Sequence, residues 1–101
     1  MKYKMTVWLT DPETPDGMNS THVFKLTADF GKGAGFDYGN GYHVSIHTEN
    51  RREFNPLLYD LRYDRDFRED EADLWLVRWA KQYWSGKNGA WKLTKYEVEE
   101  A

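Results

Sequence analysis

The chain is expected to fold as a small α+β domain. The predicted architecture is an antiparallel sheet of four to five strands, in the order β-β-β-β-α-β, with one amphipathic helix packed on a face. Three observations predict it: a helical stripe between about residues 69 and 84, short segments in which apolar and polar residues alternate, and turn-forming residues between them.

The helix carries the clearest pattern. Ala72, Trp75, Leu76, Trp79, Ala80 and Tyr83 recur at the i, i+3, i+4, i+7 spacing of a buried face, and Leu74, Val77 and Trp84 widen it. Glu69, Asp70, Glu71 and Asp73 crowd the first turn, while Arg78, Lys81 and Lys87 lie toward the end, which suits the helix dipole. Ser85-Gly86 is the stop signal, with Gly86 able to take the left-handed backbone of a C-terminal cap. A helix of this length is marginal alone in water, so its tryptophans must pack against the sheet.

The strands follow in order. Lys2 to Thr10 alternates, with Tyr3, Met5, Val7 and Leu9 on one face and Lys2, Lys4, Thr6, Trp8 and Thr10 on the other. Asp11-Pro12 to Asp16-Gly17 reads as a loop. A second strand runs from about His22 to Ala28, aligning Phe24, Leu26 and Ala28, and Phe30 extends that face. Tyr42 to Thr48 reads as a third strand and Leu57 to Tyr63 as a fourth, with Leu57, Tyr59, Leu61 and Tyr63 inward and Pro56 at its start. Glu49 to Asn55 is polar and reads as a connection. In the last strand, Ala90 to Glu99, Trp91 and Leu93 share one parity and Tyr96 and Val98 the other, which a bulge near Thr94-Lys95, or a strand lying between two covered faces, would reconcile. The acidic end, residues 99–101, is expected to fray. The whole chain, 1–101, is read as one domain.

Composition narrows the function. Aromatic residues make up 17% of the chain, so rings rather than Leu and Ile must fill much of the core. No cysteine is present, which removes disulfides, thiol catalysis and thiolate zinc sites and fits a cytoplasmic setting. No stretch is apolar enough for a signal peptide or a membrane span. A net charge of −3 offers no overall attraction to nucleic acid.

The motifs point to binding rather than chemistry. His43 and His47 on a strand lie roughly 13 Å apart, at about 3.4 Å per residue, beyond a shared metal ion. The run from Asp64 to Asp73 breaks the calcium-loop pattern at Arg68 and Glu69, and its arginines neutralise it locally. No metal site and no cofactor are expected. The glycine-rich segment 31–41 matches neither dinucleotide nor P-loop spacing and reads as a hairpin connection, with Phe36 and Tyr38 as candidate binding rings. No G-x-S-x-G motif occurs, and the histidines have no evident catalytic partner, so catalysis is not expected.

The expected role is a small protein-interaction or regulatory module whose partner is another protein or a second copy of itself. Trp8, on the polar side of its strand, is its first candidate anchor. The alternative is a single-stranded nucleic-acid-binding face in which cations flank aromatic rings, as Lys92 flanks Trp91 and Lys2 and Lys4 accompany Trp8. Arg51 and Arg52 complete the candidate set as a pair that could hold a phosphate or an acidic partner.

Overall fold

Alternation in the strands becomes a two-faced sheet. β1 (Lys2–Thr10), β2 (Thr21–Phe30), β3 (Phe36–Asp37), β4 (His43–His47) and β5 (Lys92–Glu100) pair antiparallel throughout, in the spatial order β3-β4-β2-β1-β5. The computed structural model describes residues 1–12, 21–31, 36–37 and 43–101, the side chains of Phe36, Asp37 and His43 excepted. Directly paired residues share a face. Tyr3, Met5, Val7 and Leu9 therefore sit beside Ala28, Leu26, Phe24 and His22. All of these except His22 are buried, together with Phe30 and Val44.

Two helices cover that face: α1 (Arg51–Tyr63) and α2 (Ala72–Tyr83), the latter led in by a 3-10 turn at Glu69–Glu71. The α+β class and the helix near 69–84 are thus as the sequence predicts. The expected fourth strand over Leu57–Tyr63 is instead the second half of α1, and Glu49–Asn55, read as a connection, contains its first turn. The reason is a coincidence of periods. Leu57 and Leu61 are four apart, which places them on one face of a strand and equally of a helix. Phe54, Leu57 and Leu61 are fully buried, whereas Tyr59 and Tyr63 are 65% and 62% exposed. The helical stripe is the one that meets the core. Pro56 lies inside α1 and supplies no N–H to the Arg52 carbonyl one turn earlier, so burial outweighs a local penalty there.

The two helices run antiparallel and are joined by polar bonds as well as by packing. Trp75 Nε1–H donates to Asp64 Oδ2 (2.6 Å), and Trp79 Nε1–H donates to Asp60 Oδ2 (2.7 Å). Asp64 also closes α1, its Oδ1 accepting the Asp66 N–H at 2.9 Å. Rings fill the layer between helices and sheet: Phe30 stacks on Phe67, Phe67 meets Trp75 edge-on, and Trp84 meets Phe54 and Trp79 edge-on. Tyr3 lies in this layer. Burial, followed by the nearby carboxylates of Asp73, Glu100 and Glu69, raises its phenol pKa above the usual value.

The ends of the elements follow their local chemistry. Gly86 has φ +76°, but α2 is closed at Trp84, whose N–H bonds the Ala80 carbonyl; the Gly86 N–H bonds the Trp91 carbonyl, so its left-handed backbone serves the turn into β5 rather than a helix cap. Asn88 and Gly89 both have positive φ, and Ala90 N–H bonds the Lys87 carbonyl, the pattern of a tight hairpin turn. In β5, Trp8 faces Lys95 and Leu9 faces Leu93, so Thr94 is the extra residue of the anticipated bulge. The end expected to fray is strand: Glu99 and Glu100 pair with Lys4 and Tyr3, and Ala101 N–H bonds the Lys2 carbonyl. Ladder bonds to β1 hold these acids despite their mutual repulsion. Where β4 stops, side chains continue its ladder: Thr48 Oγ1 donates to the Lys25 carbonyl and Asn50 Oδ1 accepts the Lys25 N–H. No helix among the described residues is long and apolar enough to cross a membrane.

Candidate functional site

One end of the molecule gathers rings around an open cleft of about 560 Å³. Four pieces of chain meet there: the last residues of β1 (Leu9), the start of β2 (Phe24), the first turns of α1 (Arg52, Glu53, Pro56), and the stretch that leaves α2 and enters β5 (Tyr83, Trp84, Ala90, Trp91). The tight turn at Lys87–Ala90 sets Trp91. Gly86 N–H bonds the Trp91 carbonyl and Leu93 N–H bonds the Trp84 carbonyl, so the chain doubles back with Trp91 on the inner side. Its ring lies 5.7 Å from Phe24 and 5.0 Å from His22. Tyr83 stacks on Trp79 at 4.8 Å and reaches Trp84 edge-on. Trp84 is buried and forms the floor; Trp91 is half-buried and Tyr83 exposed, so these two form the walls.

Of the residues singled out in the sequence, Trp91 and Arg52 are brought together in this cleft. Arg51 is not: it borders a separate polar depression with Lys25, His47 and Glu49. Both arginines stand in the first turn of α1 rather than on a loop. Trp8 and Lys92 lie on the opposite, outer face of the sheet. The side chain of Phe36 and all of Tyr38 fall outside the described residues, as does most of the glycine-rich segment. Phe24, Tyr83, Trp84 and Glu53 were not anticipated as site residues. Their signal was the helical stripe at Phe54, Leu57 and Leu61, which places residues 52 and 53 beside the end of α2.

On the outer face, the Trp8 ring is partly buried, with Lys95 Nζ 4.7 Å from its centroid, so it is not the freely exposed ring that its position suggested. Val23 and Lys95 are its cross-strand neighbours, with Lys25 and Lys92 in the adjoining rows. Lys95 also pairs with Glu97 at 3.4 Å, an exposed bridge of little energetic weight. Among the described residues no three His, Asp or Glu side chains converge as a metal site.

No protein-family model matches the chain, and no curated protein or solved structure matches it either.

Proposed function

We propose that this chain is a small, non-catalytic protein-interaction module that grips its partner at the aromatic cleft. The observation that supports this reading is the assembly of Phe24, Tyr83, Trp84 and Trp91 around one opening, with Arg52 and Glu53 at its rim. Tryptophan, tyrosine and arginine concentrate binding energy when they can be desolvated together. The floor is held by core packing, so little ordering is needed before an apolar side chain enters. The two rim charges favour a partner that offers its own ion beside that side chain. The setting in this reading is the cytoplasm, where a cysteine-free chain has no disulfide to lose.

The test compares three variants against a partner isolated with the intact chain and then purified. Trp91→Ala and Arg52→Glu should each weaken binding about tenfold or more. Trp8→Ala, on the far face, should leave it unchanged. Equal binding by all four proteins would remove the cleft from the interface.

A second reading rests on the outer face, where Lys25, Lys92 and Lys95 surround the partly buried Trp8. Cations beside a ring are the elements of single-stranded nucleic-acid binding. Amide shifts confined to β1, β2 and β5 on adding a mixed single-stranded oligonucleotide, and fading with salt, would move the function to that face.

A further inference from the structure

Resting on the reading that the aromatic cleft is the interface, we infer that its occupant is a proline-rich segment of the partner in the polyproline II conformation, flanked by a lysine or arginine. The donors around the cleft point to it. Trp75 and Trp79 donate their indole N–H groups to Asp64 and Asp60. Trp84 is as deeply placed, at 5% exposed, and lines the cleft, yet its Nε1–H has no acceptor among the described residues. The indole of Trp91, the phenol of Tyr83 and the guanidinium of Arg52 also make no hydrogen bond among the described residues. Glu53 is the only carboxylate among the lining residues.

An apolar cleft with an excess of donors suits a ligand that brings apolar surface and acceptors together, with few donors of its own. Proline has that composition: its ring is apolar, its carbonyl accepts, and it has no N–H. In polyproline II no carbonyl is used internally, so carbonyls and rings both face outward around the helix. A helical segment would arrive with its carbonyls already bonded. The walls fit the shape as well. Tyr83 meets Trp84 at 78° with centroids 5.8 Å apart, so their faces form a corner in which a flat pyrrolidine ring can seat.

Charge supplies the flank. Glu53 is half-buried and makes no ion pair among the described residues, and a cation at the end of the proline run would complete it. A methylated ammonium caged by the rings would also draw on Glu53, but it has no acceptor and leaves the Trp84 N–H unmatched.

The probe that tests this is a capped peptide of about eight prolines, ~25 Å long, with a lysine at each end. One control replaces the prolines with glycine and serine; the other replaces the lysines with glutamine. Each is titrated into the isotope-labelled intact chain while the indole N–H signals are followed. The lysine-flanked proline peptide should bind with a Kd below about 1 mM. It should shift the signals of Trp84 and Trp91, moving Trp84 downfield as it gains an acceptor, and leave Trp8 in place. The glycine–serine peptide, which must be ordered on binding, should bind about tenfold more weakly or worse. Glu53→Gln should abolish an about threefold preference for lysine over glutamine flanks. Unmoved signals at Trp84 and Trp91, equal binding of the glycine–serine peptide, or a preference that survives Glu53→Gln would overturn the inference. The purified partner separates this failure from that of the cleft itself. If Trp91→Ala weakens the partner while the proline peptide leaves the cleft untouched, the interface stands and the occupant is wrong; if neither acts at the cleft, both fall.

Discussion

On the inner face of the sheet, β1 and β2 present Tyr3, Met5, Val7, Leu9, Phe24, Leu26, Ala28 and Phe30, all buried beneath two helices. On the outer face the same strands present Lys2, Lys4, Thr10, Thr21, Val23, Lys25 and Asp29, with Trp8 and Thr27 half-covered and Thr6 buried among them. Both rows have the same backbone and the same pairing, so strand formation cannot be what separates them. The difference is what lies above each row. Apolar surface removed from water stabilises by about 25 cal/mol per Å², and only one face supplies it in quantity. The other face is left with side chains whose identity costs the fold little.

Substitutions can break this contrast or make it sharper. The largest effect is expected inside: Phe54→Ala should lower unfolding free energy by about 3–5 kcal/mol in chemical denaturation, because a fully buried ring against Trp84 leaves a cavity. Between the helices, Trp79→Phe keeps the ring and deletes the donor to Asp60. A double-mutant cycle with Asp60→Ala should give a coupling of about 1–2 kcal/mol, a charge-assisted bond at a partly buried site.

A third effect appears only in alkali. The folded phenol of Tyr3 is raised above its unfolded value of 10.0, so the folded state holds its proton more tightly. That contribution is fully present below pH 10.0 and is lost as pH climbs from there through the raised value. Tyr3→Phe should therefore flatten the alkaline fall in stability, measured by denaturant melts on both sides of that window. The smallest effect belongs outside. Trp8→Thr should change stability by no more than about 1 kcal/mol, the scale of an exposed cation–π contact and a surface substitution. A loss comparable to that of Phe54→Ala would mean that the outer face is structural after all.

Much of this was readable from residues alone, for reasons that the two faces make plain. In β1 and β2 the alternation is strict because one face is covered and one is not, and period two has no competitor there. The phase slip of β5 leaves a bulge near Thr94-Lys95 or a strand covered on both faces, and the pairing of Leu93 and Tyr96 with Leu9 and Val7 of β1 decides for a bulge at Thr94. α1 is not legible in the sequence, because Leu57 and Leu61 satisfy both periods, while Tyr59 and Tyr63 complete the strand pattern and Pro56 speaks against a helix. The cleft is hidden with it. Arg52 and Trp91 stand out in the sequence as an arginine and a ring, but nothing local says that they meet. Their proximity depends on α1 starting where α2 ends.

The paired bonds from Trp75 to Asp64 and from Trp79 to Asp60 have a consequence for how the helices choose their alignment. Apolar stripes repeat every turn, so a slide of one turn, about 5.4 Å, exchanges one set of apolar contacts for a similar set. The donors and acceptors do not repeat so freely. After such a slide one indole still finds a carboxylate, but the other has lost its only aspartate, and one aspartate has lost its indole. The two bonds work as the teeth of a ratchet. Greasy surface brings α1 and α2 together, and a pair of aspartates sets where they stop.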